Sequence, residues 1–423
     1  MAASETLCCC EYENMHGDRS HLLAFCCDCE AFDQTCDRLL TCRAVPTETL
    51  QRLWATIHDR CRIPWFSGKG AIQVKLDVIV PMIMVPACLS FGTLGYFATI
   101  AVLMFMPIFM LTFYTIWRRQ GHKRTPFFFV WGLTSVLFSF LVFSGFVISF
   151  REILLWEILL LFSALFFMFY ALLHARKQPG YFSVVSKSQN KELRYRPSLT
   201  NGHVKSGNNF DDEKEFLELQ MNRNEDATLP AEKVTWIDSR PIKDGKLMIK
   251  CNYCNFQRPP RAGHCNICGL CIAVRDHHCV WIDNCIGSNN HKSFLAAMFL
   301  FIFCGCYGSH LTLTTICTPE MYFDWILVPS DCRWLYEDFS ISLCFVTSCY
   351  SLVSCAIMTF GFIHQIILIS QNLTSQELHT ASIRGLTQCV FFARNNVHNQ
   401  GFLRNWIEFL FYRKRRTSSQ IPL

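Results

Sequence analysis

Long apolar runs dominate this chain and leave few folds open to it. Leu76–Trp117, Pro126–Phe150, Ile153–Leu173, Phe294–Cys317 and Ile341–Ser370 are apolar with few charges. A helix that crosses a bilayer needs about 20 such residues. Composition agrees: 51% of the 423 residues are hydrophobic, only 17% are charged, and 38 are Phe. Leu76–Trp117 is long enough for two spans, and "SFGTLG" (Ser90–Gly95) supplies small residues for a tight turn between them. The expected fold class is therefore an all-α polytopic membrane protein with six transmembrane helices.

Charge placement gives the orientation. Cytoplasmic flanks are rich in Lys and Arg. Arg60, Arg62, Lys69 and Lys75 precede the first run, and "RRQGHKR" (Arg118–Arg124) follows it. Two basic flanks on one side require an even number of spans between them. The loop at 318–340 is acidic, with Glu320, Asp324, Asp331, Glu337 and Asp338 against one Arg333, and is expected in the lumen. The tail carries "RKRR" (Arg413–Arg416), so both termini are expected in the cytosol. The net charge of +6 follows from this bias, with attraction to anionic lipid heads a secondary consequence. Nucleic acid is no partner for such a chain. A transporter would carry intramembrane charges, whereas Glu157 lies near a span end. "HLLAFCC" is too short for the apolar core of a signal peptide.

The expected organisation has six parts. Residues 1–75 form a cytosolic Cys-rich head, and 76–173 hold four spans. A polar cytosolic linker covers 174–246, with one short amphipathic helix expected at Glu213–Met221. A Cys/His module occupies 247–293 between spans four and five. Two spans and the luminal loop fill 294–370, and 371–423 form a cytosolic tail.

The chain has 25 cysteines, and most of those outside the membrane are expected to face the reducing cytosol. Close spacing there means metal or catalysis more often than disulfides. Between Lys250 and Ser288 stand Cys251, Cys254, His264, Cys265, Cys268, Cys271, His277, His278, Cys279 and Cys285. C-x2-C pairs are the usual clamps of tetrahedral structural zinc. Two four-ligand sites need eight of these ten residues. Two are left over, one of them a cysteine if each site takes three Cys and one His.

The run "CNYCNFQRPPRAGHCNICGLCIAVRDHHCVWIDNCIGSNNHKSF" (Cys251–Phe294) resembles the cysteine-rich domain of the DHHC-type protein S-acyltransferases, or palmitoyltransferases. The resemblance implies one zinc held by Cys251, Cys254, His264 and Cys271. It implies a second held by Cys265, Cys268, His278 and Cys285. The remaining pair is Cys279 as nucleophile and His277 as base, with Asp276 orienting His277. A free thiol is only a few per cent thiolate at neutral pH, so an adjacent base suits that role. The implied reaction moves a fatty acyl group from palmitoyl-CoA to cysteines of cytosolic or membrane-associated proteins, through an acyl-Cys279 intermediate in a ping-pong sequence. Both zinc ions would be structural, since closed sites leave no position for water.

Cys279 lies about 15 residues before the fifth span, where a bilayer acyl chain and a cytosolic CoA head can both reach it. A groove between spans is the natural acyl site, at about 0.8 kcal/mol per buried CH2. Trp281 can cover the thioester or pack the zinc loop. Arg258 and Arg261, with Arg275 and Lys292, are candidates for CoA phosphates.

The resemblance extends beyond the module, with departures. The family's Asp-Pro-Gly appears as Gln178-Pro179-Gly180, and its Thr-Thr-x-Glu as Thr374-Ser375-Gln376-Glu377. A downstream Asn-rich motif appears as "NVHNQGFLRN" (Asn396–Asn405), substituted at His398 and Asn399, and the usual Pro after the nucleophile is Val280. These touch supporting contacts rather than the nucleophile, base or ligands. They are also the best support for a rival reading, a zinc scaffold with little turnover. "CCCEY" (Cys8–Tyr12), "RIPW" (Arg62–Trp65) and "GFLRNW" (Gly401–Trp406) are similar to six-span members.

Weaker signals remain. The head cysteines Cys8, Cys9, Cys10, Cys26, Cys27, Cys29, Cys36 and Cys42 lack clean tetrahedral spacing and read as free thiols. Asn372-Leu373-Thr374 matches a glycosylation sequon on the cytosolic side, where it would stay bare. The C-terminal "QIPL" can add to a PDZ sheet edge. The membrane is the ER, Golgi or plasma membrane.

Overall fold

The computed structural model describes residues 11–14, 17, 19–21, 29–41, 43, 45–64, 71–119, 124–150, 153–187, 190–195, 242–243, 246–247, 249–322, 326–388, 391–394 and 396–411. Two compact units emerge: residues 1–87 with 130–134, and 88–129 with 135–423. In the first, a hairpin pairs Glu11–Glu13 with Arg19–His21, and helices α1 (Cys29–Leu40) and α2 (Thr47–Arg60) follow. Arg62 ties the pieces together. Its guanidinium lies 4.1 Å over the Tyr12 ring and 2.8 Å from Asp59. Of the head cysteines, Cys29 and Cys36 lie in α1, and the other six fall outside the described residues, as do Glu213–Met221 and "QIPL".

The first apolar run does break, into α3 (Leu76–Gly92) and α4 (Tyr96–Arg119). Then come α5 (Phe127–Phe150), α6 (Leu155–Lys177), α7 (His291–Ile316) and α8 (Phe339–Ser370). Among the described residues five helices, α4 to α8, are long and apolar enough to cross a membrane. The helix α3 has 17 residues with Pro81 and Pro86 inside it. At 1.5 Å per residue it spans about 26 Å, short of a full hydrocarbon core of about 30 Å. The chain is thus a multi-pass membrane protein, and its described residues hold five such helices beside the shorter α3.

One expectation gives way. The chain is mostly helical rather than all-α, because the Cys/His module is built of two- and three-residue strands. Within the linker, Tyr181–Lys187 and Asn190–Tyr195 form a hairpin. Tyr181 and Phe182 pair with Ile272 and Cys271, so the hairpin extends the module's sheet. "YFSVV" carries the aromatic and β-branched residues that fit a pleated surface. Pro179-Gly180 ends α6 and aims this strand. Gly180 takes φ +105°, a conformation that strains residues with a Cβ, and its carbonyl accepts from Ala273 N at 2.9 Å.

The helices α6 and α8 both pack on α7. Gly305 permits the closeness, since a Cβ there would run into Cys355 Sγ. A cavity remains among α5 to α8, lined by residues such as Ser139, Phe143, Leu161, Phe301, Cys304 and Thr347. Beyond α7, strands Thr318–Tyr322 and Ile326–Asp331 pair, and a Cys317–Cys332 disulfide closes the base of this hairpin. The sequence reasoning did not anticipate that bridge. After α8 come α9 (Ser375–Ile383) and α10 (Phe402–Phe411). A capping box starts α9: Thr374 Oγ1 accepts from Glu377 N, and Glu377 accepts from Thr374 N.

Candidate active site

Each C-x2-C pair folds as a knuckle in which the second cysteine's amide faces the first cysteine's sulfur, 3.5 Å away in both cases. The chain leaves each knuckle through a left-handed residue, Asn255 at φ +53° and Gly269 at φ +66°. Two short ribbons then sort the remaining ligands. His264 pairs across a ribbon with Cys271, and His278 across another with Cys285. Cross-strand partners share a face, while sequence neighbours point to opposite faces. His264 and Cys271 therefore join one cluster, while Cys265 turns to the other.

The result is two clusters, Cys251/Cys254/His264/Cys271 and Cys265/Cys268/His278/Cys285, each with its ligand atoms within 4.8 Å of one another. A tetrahedral zinc with bonds of about 2.3 Å to S and 2.0–2.1 Å to N would give edges of about 3.8 Å (S···S) and 3.5 Å (S···N). In the first cluster, Cys254 Sγ–His264 Nδ1 is 3.3 Å, Cys271 Sγ–His264 Nδ1 is 3.9 Å and Cys271 Sγ–Cys254 Sγ is 3.8 Å. In the second, His278 Nδ1 lies 3.7, 3.4 and 3.5 Å from Cys265, Cys268 and Cys285, and Cys268–Cys285 is 3.6 Å. Both clusters fit structural zinc.

The same alternation separates His278 from Cys279. The ribbon sets His278 opposite Cys285 and Cys279 opposite Asn284. Cys279 is buried in an apolar group with Ala175, Ile282, Ile286, Phe294 and Met298. The imidazole of His277 is the titratable group beside its thiol. Since His277 Nδ1 is 2.6 Å from Asp276 Oδ2, the nitrogen left for the thiol is Nε2. The Asp276 side chain is fully buried, and it accepts from Ser375 N at 2.7 Å, Ser375 Oγ at 2.8 Å and Gln365 Nε2 at 3.1 Å.

Electrostatics follow from that geometry. Burial raises the Asp276 pKa, but the hydrogen bond from His277 and its charge hold the carboxyl well below the usual carboxylate range. Burial lowers the His277 pKa, but the hydrogen bond to Asp276 and the neighbouring Asp276 and Cys279 groups raise it to about 10.

Two asparagines join the module to the spans. Asn290 donates to Ala175 O and Cys285 O, and accepts from Gly287 N. Asn284 donates to Arg176 O and accepts from Tyr181 OH. The 374–377 motif makes a third joint. Ser375 holds Asp276, Gln376 accepts from Arg275, and Glu377 takes a bidentate pair from Arg261 at 2.7 and 2.9 Å. Arg261 also donates to Asn372. The sequon asparagine is thus engaged internally, and so is the arginine expected at a CoA phosphate. Lys292 likewise donates to Leu410 O. By contrast, Nε and Nη1 of Arg258 and Nε of Arg275 are buried without a hydrogen-bond partner. Trp281 is 43% exposed and meets Phe128 edge-on at 5.7 Å.

The packing of Trp281 on α5 agrees with its expected part in seating the zinc loop. Sequence reasoning missed two contacts: Gln365 on Asp276, and Arg124, whose Nε is shared between both Asp283 carboxylate oxygens at 3.0 Å. Each joins residues about 90 to 160 positions apart, beyond the reach of any spacing rule.

Residues 247–382 match the DHHC palmitoyltransferase family. The chain is 33% identical to Palmitoyltransferase ZDHHC23 of Rattus norvegicus, over 96% of this chain and 93% of that one. It is 32% identical to Palmitoyltransferase ZDHHC23 of Homo sapiens, over 89% and 90%. To the Probable protein S-acyltransferase 13 of Arabidopsis thaliana it is 59% identical over 51 residues, 12% of this chain and 16% of that one. Similarity at this level runs through head, spans and tail as well as the zinc module, so the chain belongs to the DHHC palmitoyltransferase family and is a protein S-acyltransferase.

Proposed function

We propose that the transfer is ping-pong and runs through an acyl-Cys279 thioester. His277 takes the Cys279 proton, and Asp276 holds the imidazolium that forms. The thiolate attacks the thioester carbonyl of palmitoyl-CoA. The bond to the CoA sulfur breaks, and that sulfur leaves with the proton from His277. A target-protein cysteine then attacks acyl-Cys279, taking the acyl group and restoring the thiol. Zinc supplies no step; its ligands hold the ribbon that presents Cys279. The observation that carries this reading is the His278/Cys279 alternation, which turns the thiol away from the metal cluster toward Asp276-bound His277 and the apolar ends of α6 and α7.

The acyl chain is assigned to the cavity among α5 to α8. Met298, in the apolar group around Cys279, lies about one turn of α7 before Phe301, which lines that cavity. The partnerless nitrogens of Arg258 and Arg275 suit CoA phosphates better than Arg261, whose fork is committed to Glu377. Trp281 would cover the thioester from its seat on Phe128. Six spans with both termini in the cytosol remain our assignment, with α3 as the first. The Cys317–Cys332 bridge supports a luminal 318–340 loop, because disulfides persist in oxidising compartments.

The deciding experiment incubates the purified protein with labelled palmitoyl-CoA. Wild type should carry hydroxylamine-sensitive label, and Cys279→Ser should carry none while keeping about two zinc ions per chain. Label on Cys279→Ser equal to wild type would remove the covalent mechanism.

A further inference from the structure

Asp276 is held from two sides. Ser375, at the start of α9, gives it a backbone N–H and a hydroxyl. From within α8, Gln365 gives it an amide N–H. Gln365 is itself buried, and its Oε1 accepts from His291 Nε2 at 2.8 Å. A continuous chain thus runs from His291 at the start of α7, through Gln365 and Asp276, to His277.

The amide can sit only one way. Reversed, it would aim Oε1 at a carboxylate oxygen and leave two acceptors facing each other in a buried place. With Nε2 on Asp276, Oε1 must find a donor, and His291 Nε2–H is that donor. His291 thus fixes the Gln365 amide, and Gln365 fixes the carboxylate.

The contact is not needed to dock the module. Arg261–Glu377, Asn290 and Asn284 already join it to spans and tail. What Gln365 adds falls on Oδ2, the oxygen that bonds His277. That oxygen has three donors: His277 Nδ1, Ser375 Oγ and Gln365 Nε2. Without Gln365 the carboxylate would be held against His277 by Ser375 alone, from one side.

We propose that Gln365, oriented by His291, is a positioning residue for acyl transfer. It holds Asp276 Oδ2 so that His277 presents Nε2 to the Cys279 thiol. The inference rests on the Asp276–His277–Cys279 reading above.

The test is single-turnover acylation of the full chain by labelled palmitoyl-CoA, with zinc content measured on the same samples. Gln365→Met keeps the volume and removes both polar atoms. Its acylation rate should fall about tenfold or more, the effect of one hydrogen bond to a charged group. The half-saturating palmitoyl-CoA concentration and the zinc content should match wild type. Gln365→Glu keeps the shape but sets a second carboxylate against Asp276, and should be at least as slow. It serves if the Met variant fails to accumulate. His291→Phe should slow acylation less, and should add nothing in the Gln365→Met background, because His291 acts through Gln365. Gln365→Met and Gln365→Glu both within about twofold of wild type, with Cys279→Ser inactive, would overturn this inference alone. A loss of zinc or palmitoyl-CoA affinity in proportion to the rate would assign Gln365 a purely structural part and overturn it too.

Discussion

Cys279 and Cys285 lie in one ribbon, and the mechanism we propose gives them different tasks according to the face each side chain takes. Cys285→Ser should abolish activity by removing a ligand and reducing zinc, whereas Cys279→Ser should abolish it with zinc intact. The neighbouring histidines should divide the same way. His278→Ala should lose metal, and His277→Ala should keep it and acylate about 10²–10⁴-fold more slowly, the usual reach of general-base help. Metal analysis beside acylation on all four variants decides this. Ser375 offers a finer test. Its hydroxyl and amide both reach Asp276, so Ser375→Ala removes one bond and spares the other. Acylation by Ser375→Ala should fall several-fold and return in Ser375→Thr, which restores the hydroxyl.

At the scale of elements, the joint between α9 and the module rests on Arg261 and Glu377. Both side chains are 19% exposed, and Glu377 also caps the helix it sits on. Glu377→Ala strips a partly buried arginine of its partner and α9 of its cap at once. We expect a loss of about 2 kcal/mol, read as a lower denaturation midpoint. Arg261→Ala should cost a similar amount, and the double variant less than the sum, because the two losses share one contact. The ribbons should behave differently, since in our assignment zinc holds them. Structural zinc is worth on the order of 10–16 kcal/mol to a small domain. Cys268→Ala should therefore unfold the module and lower protein levels rather than shift a midpoint.

For the whole molecule the open quantity is the number of crossings. Tags at both termini should be reached only after selective permeabilisation on the cytosolic side, and a tag between Met321 and Asp331 only from the other. Termini on opposite sides would mean that the 17-residue helix α3 does not cross. The disulfide gives an independent check. Cys317 and Cys332 should react with a maleimide only after reduction, as expected for a loop in an oxidising compartment.

Hydropathy alone determined the membrane helices to within a few residues, because about 20 apolar side chains in a row have no other place to fold. Residue type and spacing likewise determined that the stretch from Cys251 to Cys285 holds two metal clusters with two residues to spare. Spacing could not say which ligands share a metal. That depends on the ribbon register, which sends His264 with Cys271 and His278 with Cys285. The joints were also hidden. Arg261 reads as a surface cation until α9 brings Glu377 to it, and Gln365 reads as one polar residue in an apolar span until Asp276 lies 3.1 Å away. The extension of the module by Tyr181 and Phe182 was masked by the polar sequence that follows them. Local chemistry is written in neighbouring residues. The orientation of His277, the base we propose, is not, because a buried carboxylate takes its direction from donors that only the folded chain brings within hydrogen-bond reach.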